Sequence, residues 1–242
     1  NLTSEHISSV SPTPKFIKKL KENGVYTADL FEALRDERKK DSLYGDSIYL
    51  QRDTHWKTRG VLCAAKTVAQ KVKNFEWYDS VHETREFIFD SVYVNREGDI
   101  EKMTQLTESR LTNHSFVPEK TLCFRVHSVQ KDSTGKILSE QPYRDDYSKS
   151  RILILGDSFS RIFQTDSPRA SGWIAHLARE LSEPVASVVN DGGASTIVRQ
   201  TLSRKLNLLK GKKLVIWEFV ERDLLFGEQG WKPVSIKKQQ PY

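Results

Sequence analysis

The chain has 242 residues, 37% hydrophobic and 29% charged, which suits one α/β domain with a buried core better than two independent ones. No run reaches the roughly 18–20 continuous apolar residues of a membrane span, and the polar opening without Met reads as a processed or excised product. Its 38 Lys+Arg against 32 Asp+Glu give +6, which favours polyanionic partners, but without an aromatic-interleaved basic patch nucleic acid is not among those expected.

Residues 13–22 and 27–38 carry helical spacing, the second with a narrow apolar face of Leu30, Phe31 and Leu34. The clearest early helix runs over 55–73: Val61, Leu62, Ala65, Val68, Ala69 and Val72 recur at helical spacing, with Thr54 the expected cap. Segments 86–94 and 121–130 read as strands rich in aromatic and β-branched residues, and the polar stretch 131–150 reads as a loop. From residue 151 short apolar strands (151–156, 185–190, 213–219) alternate with helices opening near Ser158 and spanning 170–182 and 196–210. The alternation predicts an α/β fold with a mainly parallel sheet covered by helices on both faces. Binding sites in such sheets form beyond the carboxyl ends of the strands. Cys63 and Cys123 make no disulfide framework and read as two buried thiols, a single bridge being the alternative.

The segment Ile152-Leu153-Ile154-Leu155-Gly156-Asp157-Ser158-Phe159-Ser160 is the most informative. A buried strand ends at a glycine, and a serine then opens a helix, where free backbone N–H groups and the positive end of the dipole can stabilise an oxyanion. The competing reading of Ser158 is an ordinary helix cap. Gly45-Asp46-Ser47 repeats the tripeptide in a polar stretch without a preceding strand, and reads as a turn. Ser160 stands where a Gly-x-Ser-x-Gly elbow would need its second glycine, which disfavours a standard α/β-hydrolase.

Asp53-Thr54-His55-Trp56 lies just before the best early helix. Imidazole can take a serine's proton near neutral pH, and a carboxylate on its other nitrogen fixes the tautomer and stabilises the imidazolium. Two residues apart in an extended loop, Asp53 and His55 can point the same way. Asp53 as a helix cap is the plainer alternative, and a metal site lacks a His-x3-His or clustered carboxylates to complete it. His6, His82, His114, His127 and His176 lack a comparable partner, and His176 falls inside a helix with core spacing.

Together these segments resemble the SGNH-like domain of bacterial polysaccharide O-acetyltransferases of the AlgJ/AlgX type, with Asn190-Asp191-Gly192-Gly193 and Trp217-Glu218-Phe219-Val220-Glu221-Arg222 extending the likeness over residues 12–227. Ordinary SGNH esterases place Asp-x-x-His after the serine; here Asp-x-His precedes it. The resemblance implies an SGNH-hydrolase-like, flavodoxin-like fold, with Ser158 as nucleophile, His55 as general acid/base and Asp53 as its orienter. It implies backbone oxyanion donors at Ser158 and Gly193, with Gly192 the adjacent alternative. Val220-Glu221-Arg222-Asp223 stands where the family's third block supplies an asparagine, leaving a third donor open. Arg222 then meets substrate or, alternatively, pairs with Glu221 or Glu218.

The implied reaction is acetyl transfer, through an acetyl-serine, onto hydroxyls of an exopolysaccharide such as alginate, without cofactor or metal. The implied setting is the periplasm, with an anionic polysaccharide as acceptor and a membrane-bound O-acyltransferase on the donor side. A carbohydrate acetylesterase on the same triad, and a non-catalytic polysaccharide-binding subunit, are the rival readings. The likeness further implies a single domain over residues 1–242, a family segment with a strand ahead of residue 1, and no room for a carbohydrate-binding module after residue 227. Geometrically, it asks that His55 Nε2 lie about 3 Å from Ser158 Oγ, or somewhat further in an apo structure.

Overall fold

Helix α1 (Thr13–Glu22) follows Pro12, and α2 (Leu30–Arg38) begins at Asp29, whose side chain accepts from Glu32 N at 3.1 Å. The computed structural model of the chain describes residues 11–80, 84–103, 117–225 and 231–236, so that His6, His82 and His114 lie outside the described residues. The short helix α3 (Asp41–Tyr44) ends on Gly45 at φ 62°, a left-handed conformation that a residue without Cβ adopts freely. The first Gly-Asp-Ser is therefore a helix end and turn, in which Ser47 Oγ donates to Tyr49 O.

Helix α4 (Thr58–Val72) starts later than its apolar periodicity predicts, after Lys57, and Thr54 does not cap it. It buries Val61, Ala64, Ala65, Val68, Ala69 and Val72 along one face. Strands β1 (Glu86–Arg96), β2 (Glu119–Lys131) and β3 (Ile137–Pro142) form an antiparallel sheet in the order β1-β2-β3, with helix α5 (Asp99–Met103) directly after β1. Strand β3 lies in the stretch predicted as loop. It pairs with β2 through a tight turn in which Asp132 Oδ1 accepts from the N–H groups of Thr134 and Lys136 and Gly135 takes φ 86°. Its Leu-Ser-Glu-Gln core is mostly exposed, so no apolar alternation announces it.

Strand β4 (Ile152–Gly156), helices α6 (Ser158–Arg161) and α7 (Trp173–Leu181), strand β5 (Ala186–Val189), helix α8 (Ile197–Arg204) and strand β6 (Leu214–Trp217) complete the predicted alternation. The parallel sheet has the order β5-β4-β6, with all five residues of β4 buried. Ile152 and Ile154 join the larger core with α4 and α7; Leu153 and Leu155 face the smaller one with Ala186, Val198 and Leu202. Period-two alternation puts neighbouring β4 residues on opposite faces, and both faces are covered, so the strand must be apolar throughout. Among the described residues the sheet content is only partly parallel, two three-stranded sheets standing in place of one mainly parallel sheet. Strand β2 of the antiparallel sheet is tied to α7 and the loop before it by Val126 N donating to Ala170 O at 2.8 Å and by His176 Nε2 at 3.0 Å from Phe124 O. Burial, with Arg179 nearby, lowers His176 to about 4, so it sits neutral in the core. Cys63 and Cys123 are both free thiols.

Candidate active site

Two segments about a hundred residues apart in sequence meet at the carboxyl end of the parallel sheet. The first is the loop before α4, closed by a bridge between Tyr49 and Trp56 and by Leu50 N donating to His55 O at 3.0 Å. The second is the β4–α6 turn. Phe159, next to Ser158, packs its ring against His55 (centroids 4.7 Å apart) and edge-on against Trp56 (5.1 Å). Aromatic packing thus sets the loop against the serine-bearing turn.

Within the loop, Asp53 Oδ1 accepts from His55 N at 3.1 Å and lies 2.5 Å from His55 Nδ1. Both residues are buried. Burial pushes the Asp53 carboxyl up, but hydrogen bonds from His55 and Arg96, with the Arg96 charge, outweigh it and bring it down to about 2. Asp53 is therefore a carboxylate at neutral pH, able to hold Nδ1–H and present the unprotonated Nε2. That Nε2 is buried and has no hydrogen-bond partner among the described residues. His55 and Ser158 line one cleft of ≈ 840 Å³ without the direct Nε2–Oγ hydrogen bond of an assembled triad. Apo sites commonly hold such pairs apart until substrate enters.

Arg96, at the end of β1, was not singled out from the sequence. Its Nε donates to Asp53 Oδ2 at 2.9 Å and its Nη1 to Asp166 Oδ2 at 3.3 Å. Asp166 also accepts from Arg161, whose Nε reaches both oxygens of Asp191 at 2.7 and 2.8 Å. A line of alternating charges thus runs from Asp53 to Asp191 along the cleft wall. The structure also brings Asp99 to Asp53 and His55, the clustered carboxylate that a metal reading lacked in the sequence. Its two oxygens accept from Thr54 N at 2.8 Å and Thr54 Oγ1 at 2.6 Å, while Asp53 serves His55 and Arg96. A cation would have to displace these bonds beside a guanidinium, so the donor set fits a hydrogen-bonded histidine better than a metal centre.

At the β4–α6 turn, Asp157 caps α6 by accepting from Phe159 N at 2.8 Å, and Asp157 O takes the N–H groups of Ser160 and Arg161. The N–H of Ser158 is left without a protein acceptor among the described residues. Gly193, expected as the second oxyanion donor, spends its N–H on Asn190 O at 3.0 Å. A Cβ there would lie 2.4 Å from Asn190 Oδ1, so Gly193 serves the tightness of the turn. Gly192, at φ 62° with open space around it, is the residue that lines the cleft. Arg222 lines it too, and its side chain makes no hydrogen bond or ion pair among the described residues. Its expected pairings with Glu221 or Glu218 are not made: Glu221 accepts from Ser11, and Glu218 is engaged beneath the Ser158 turn.

The fold is shared with the O-acetyltransferase domain of Pseudomonas putida AlgJ, at TM-score 0.64 and 18% identity, covering 93% of this chain and 70% of that one. AlgX of Pseudomonas aeruginosa matches at TM-score 0.57 and 17% identity, covering 86% of this chain and 42% of that one. No protein of curated function matches the sequence. The family model for the SGNH hydrolase-like domain of the acetyltransferase AlgX matches residues 4–221, a span that takes in the Asp53–His55 loop, Ser158 and the glycines after β5, and the chain belongs to that family.

Proposed function

We propose that this chain transfers an acetyl group, through an acetyl-Ser158 intermediate, to hydroxyls of an exopolysaccharide such as alginate. The observation that carries the reading is the buried Asp53–His55 pair, whose Nε2 has no partner among the described residues, in a histidine that lines the same cleft as Ser158. His55 Nε2 accepts the Ser158 proton as Oγ attacks the acetyl carbonyl, and the negative charge develops on the carbonyl oxygen. The N–H of Ser158 and, on the geometry above, that of Gly192 rather than Gly193 stabilise this oxyanion. Protonated His55 gives its proton to the departing donor group, leaving acetyl-serine. His55 then deprotonates a sugar hydroxyl as it attacks the acetyl carbon, and returns that proton to Ser158 Oγ as the acetyl–serine bond breaks, restoring both residues.

Membership of an acetyltransferase family supports the reaction class. Arg222, which lines the cleft without a hydrogen bond or ion pair among the described residues, supports an acidic acceptor, because a guanidinium in a cleft gains most from a carboxylate. The AlgJ and AlgX likenesses support a periplasmic setting and a membrane-bound O-acyltransferase as source of acetyl groups. No helix among the described residues is long and apolar enough to cross a membrane.

The test is turnover of p-nitrophenyl acetate with and without uronate oligosaccharides, following free acetate and acetylated sugar separately. Acetylated oligosaccharide, formed at the expense of acetate, is the expected result. Acetate release that ignores added oligosaccharide and yields no acetylated sugar establishes the esterase instead. Ser158→Ala is expected to lower turnover at least about 10³-fold; unchanged turnover would leave a binding subunit. Arg222→Ala is expected to raise KM for an acidic acceptor about tenfold and spare acetyl-ester hydrolysis, as loss of one charge-assisted hydrogen bond would.

A further inference from the structure

Below Ser158 lies a group of acids, Asp157 and Asp223 buried and Glu218 half-buried, that the proposed chemistry does not use. Glu218 follows β6, and its N–H pairs with Leu155 O at 2.8 Å, tying it to the end of β4. Its Oε2 accepts from Asp157 N at 3.1 Å and from Ser160 Oγ at 2.7 Å, residues on either side of Ser158. Ser160 Oγ in turn accepts from the buried Trp173 Nε1 at 2.9 Å. Gly156 is what lets these groups close in, since a Cβ there would stand 2.1 Å from Ser160 Oγ and 2.9 Å from Glu218 Oε2.

We propose that Glu218 is a positioning residue for the nucleophile: its carboxyl bridges the end of β6 to Asp157 and Ser160 and fixes the turn that aims Ser158 and its N–H into the cleft. The inference rests on the reading of Ser158 as nucleophile. Its chemistry follows from the neighbours. Asp157 accepts two backbone N–H groups, from Phe159 and from Val220 at 3.2 Å, which suits an anion. Two carboxylates in contact below a water-poor turn cannot both stay ionised at low cost. Burial raises Asp157 too, against the pull of its two backbone N–H donors, but burial and then the Asp157 charge push Glu218 well above the usual carboxylate range, so the proton is assigned to Glu218 and its hydrogen bond with Asp157. Asp223 faces the same group from the turn after β6 and is also raised by burial and by Asp157. Arg222, the nearby cation, acts on Asp157 in the opposite sense. A neutral acid can donate to Asp157 and still accept from Ser160 and the Asp157 N–H, a combination an ionised glutamate cannot supply.

Glutamine offers the same pattern without a titrating proton: its carbonyl accepts from Asp157 N and Ser160 Oγ, and its amide donates to the Asp157 carboxylate. The experiment compares Glu218→Gln, Glu218→Ala and Ser158→Ala in the full chain, with p-nitrophenyl acetate as probe and circular dichroism as the check on folding. Glu218→Ala is expected to lose kcat about 10- to 100-fold with KM nearly unchanged. Glu218→Gln is expected to keep kcat within about threefold of the parent. Infrared difference spectra of parent against Glu218→Gln at neutral pH should show a protonated carboxyl band in the parent alone. Full kcat in a folded Glu218→Ala, beside an inactive Ser158→Ala, overturns the role of Glu218 and leaves the nucleophile standing. A folded Glu218→Gln whose kcat falls about tenfold or more below the parent, or no protonated carboxyl band, also overturns it. The last two readouts decide the matter should Glu218→Ala fail to fold. Turnover surviving in Ser158→Ala removes the nucleophile and this inference together.

Discussion

At the scale of single residues, the site depends on how Asp53 is held. One oxygen serves His55 and the other Arg96, so the carboxylate has little freedom to rotate away from the imidazole. Asp53→Asn keeps the shape but can offer its amide to Nδ1, favouring the wrong tautomer; kcat is expected to fall about 10²- to 10⁴-fold, measured as acetyl-ester turnover. Arg96 also makes the acid stability of the chain testable. The folded Asp53 value of about 2 lies below its ordinary 3.8, so the pair stabilises the fold fully above pH ~4. That contribution disappears as pH falls from ~4 through ~2, because the unfolded chain binds its proton first. Arg96→Met is expected to flatten this part of the curve of melting temperature against pH; an unchanged acid limb would refute the link. Asp53 and His55 were legible in sequence because two residues in an extended loop share a face. Arg96 was not, because a cation at a strand end looks the same whether it meets solvent or a carboxylate 43 positions away.

At the scale of elements, β4 and its turn carry the site. The strand is apolar on both faces, so its identity and its end at Gly156 could be read directly. Gly156→Ala tests how tightly the turn is built. Its new Cβ overlaps the Ser160 hydroxyl, and a buried overlap of this kind costs about 1–3 kcal/mol. For a chain of this size Tm should fall by several degrees, with activity lost more steeply as the turn shifts. Two elements departed from the sequence reading for local reasons. Strand β3 has no apolar face to reveal it, and its pairing is imposed by β2 and the Asp132–Gly135 turn. Helix α4 starts late because Thr54, its expected cap, spends its N–H and hydroxyl on Asp99.

At the scale of the whole molecule, the cleft is a joint product of the two sheets. The parallel sheet supplies the Ser158 turn and the loop after β5, and the antiparallel sheet supplies Arg96 from the end of β1. Arg96 and Arg161 are matched by Asp53, Asp166 and Asp191, and although carboxylates outnumber arginines in the lining, Arg222 is the cleft arginine without an ion pair among the described residues. With the chain at +6, acidic acceptors should also gain from long-range attraction. KM for a uronate oligosaccharide is therefore expected to rise several-fold between about 50 mM and 500 mM salt, while a neutral oligosaccharide of equal length shows no such rise. Equal salt dependence for the two would remove the electrostatic account of acceptor choice.

The sequence by itself determined the α/β class, the strand that ends at Gly156, the helix opening at Ser158 and an Asp-x-His unit placed ahead of the serine. Those features are local: periodicity reports burial, and short spacing reports shared direction. Tertiary structure alone decided that half of the described strands are antiparallel, that Gly192 rather than Gly193 borders the cleft, and that Arg96, Asp99 and Glu218 join the site. Each of these is a pairing of polar groups distant along the chain. Which charge meets which acceptor, and which acid keeps its proton, follows from distance and burial in three dimensions, and neither leaves a periodic trace in the sequence.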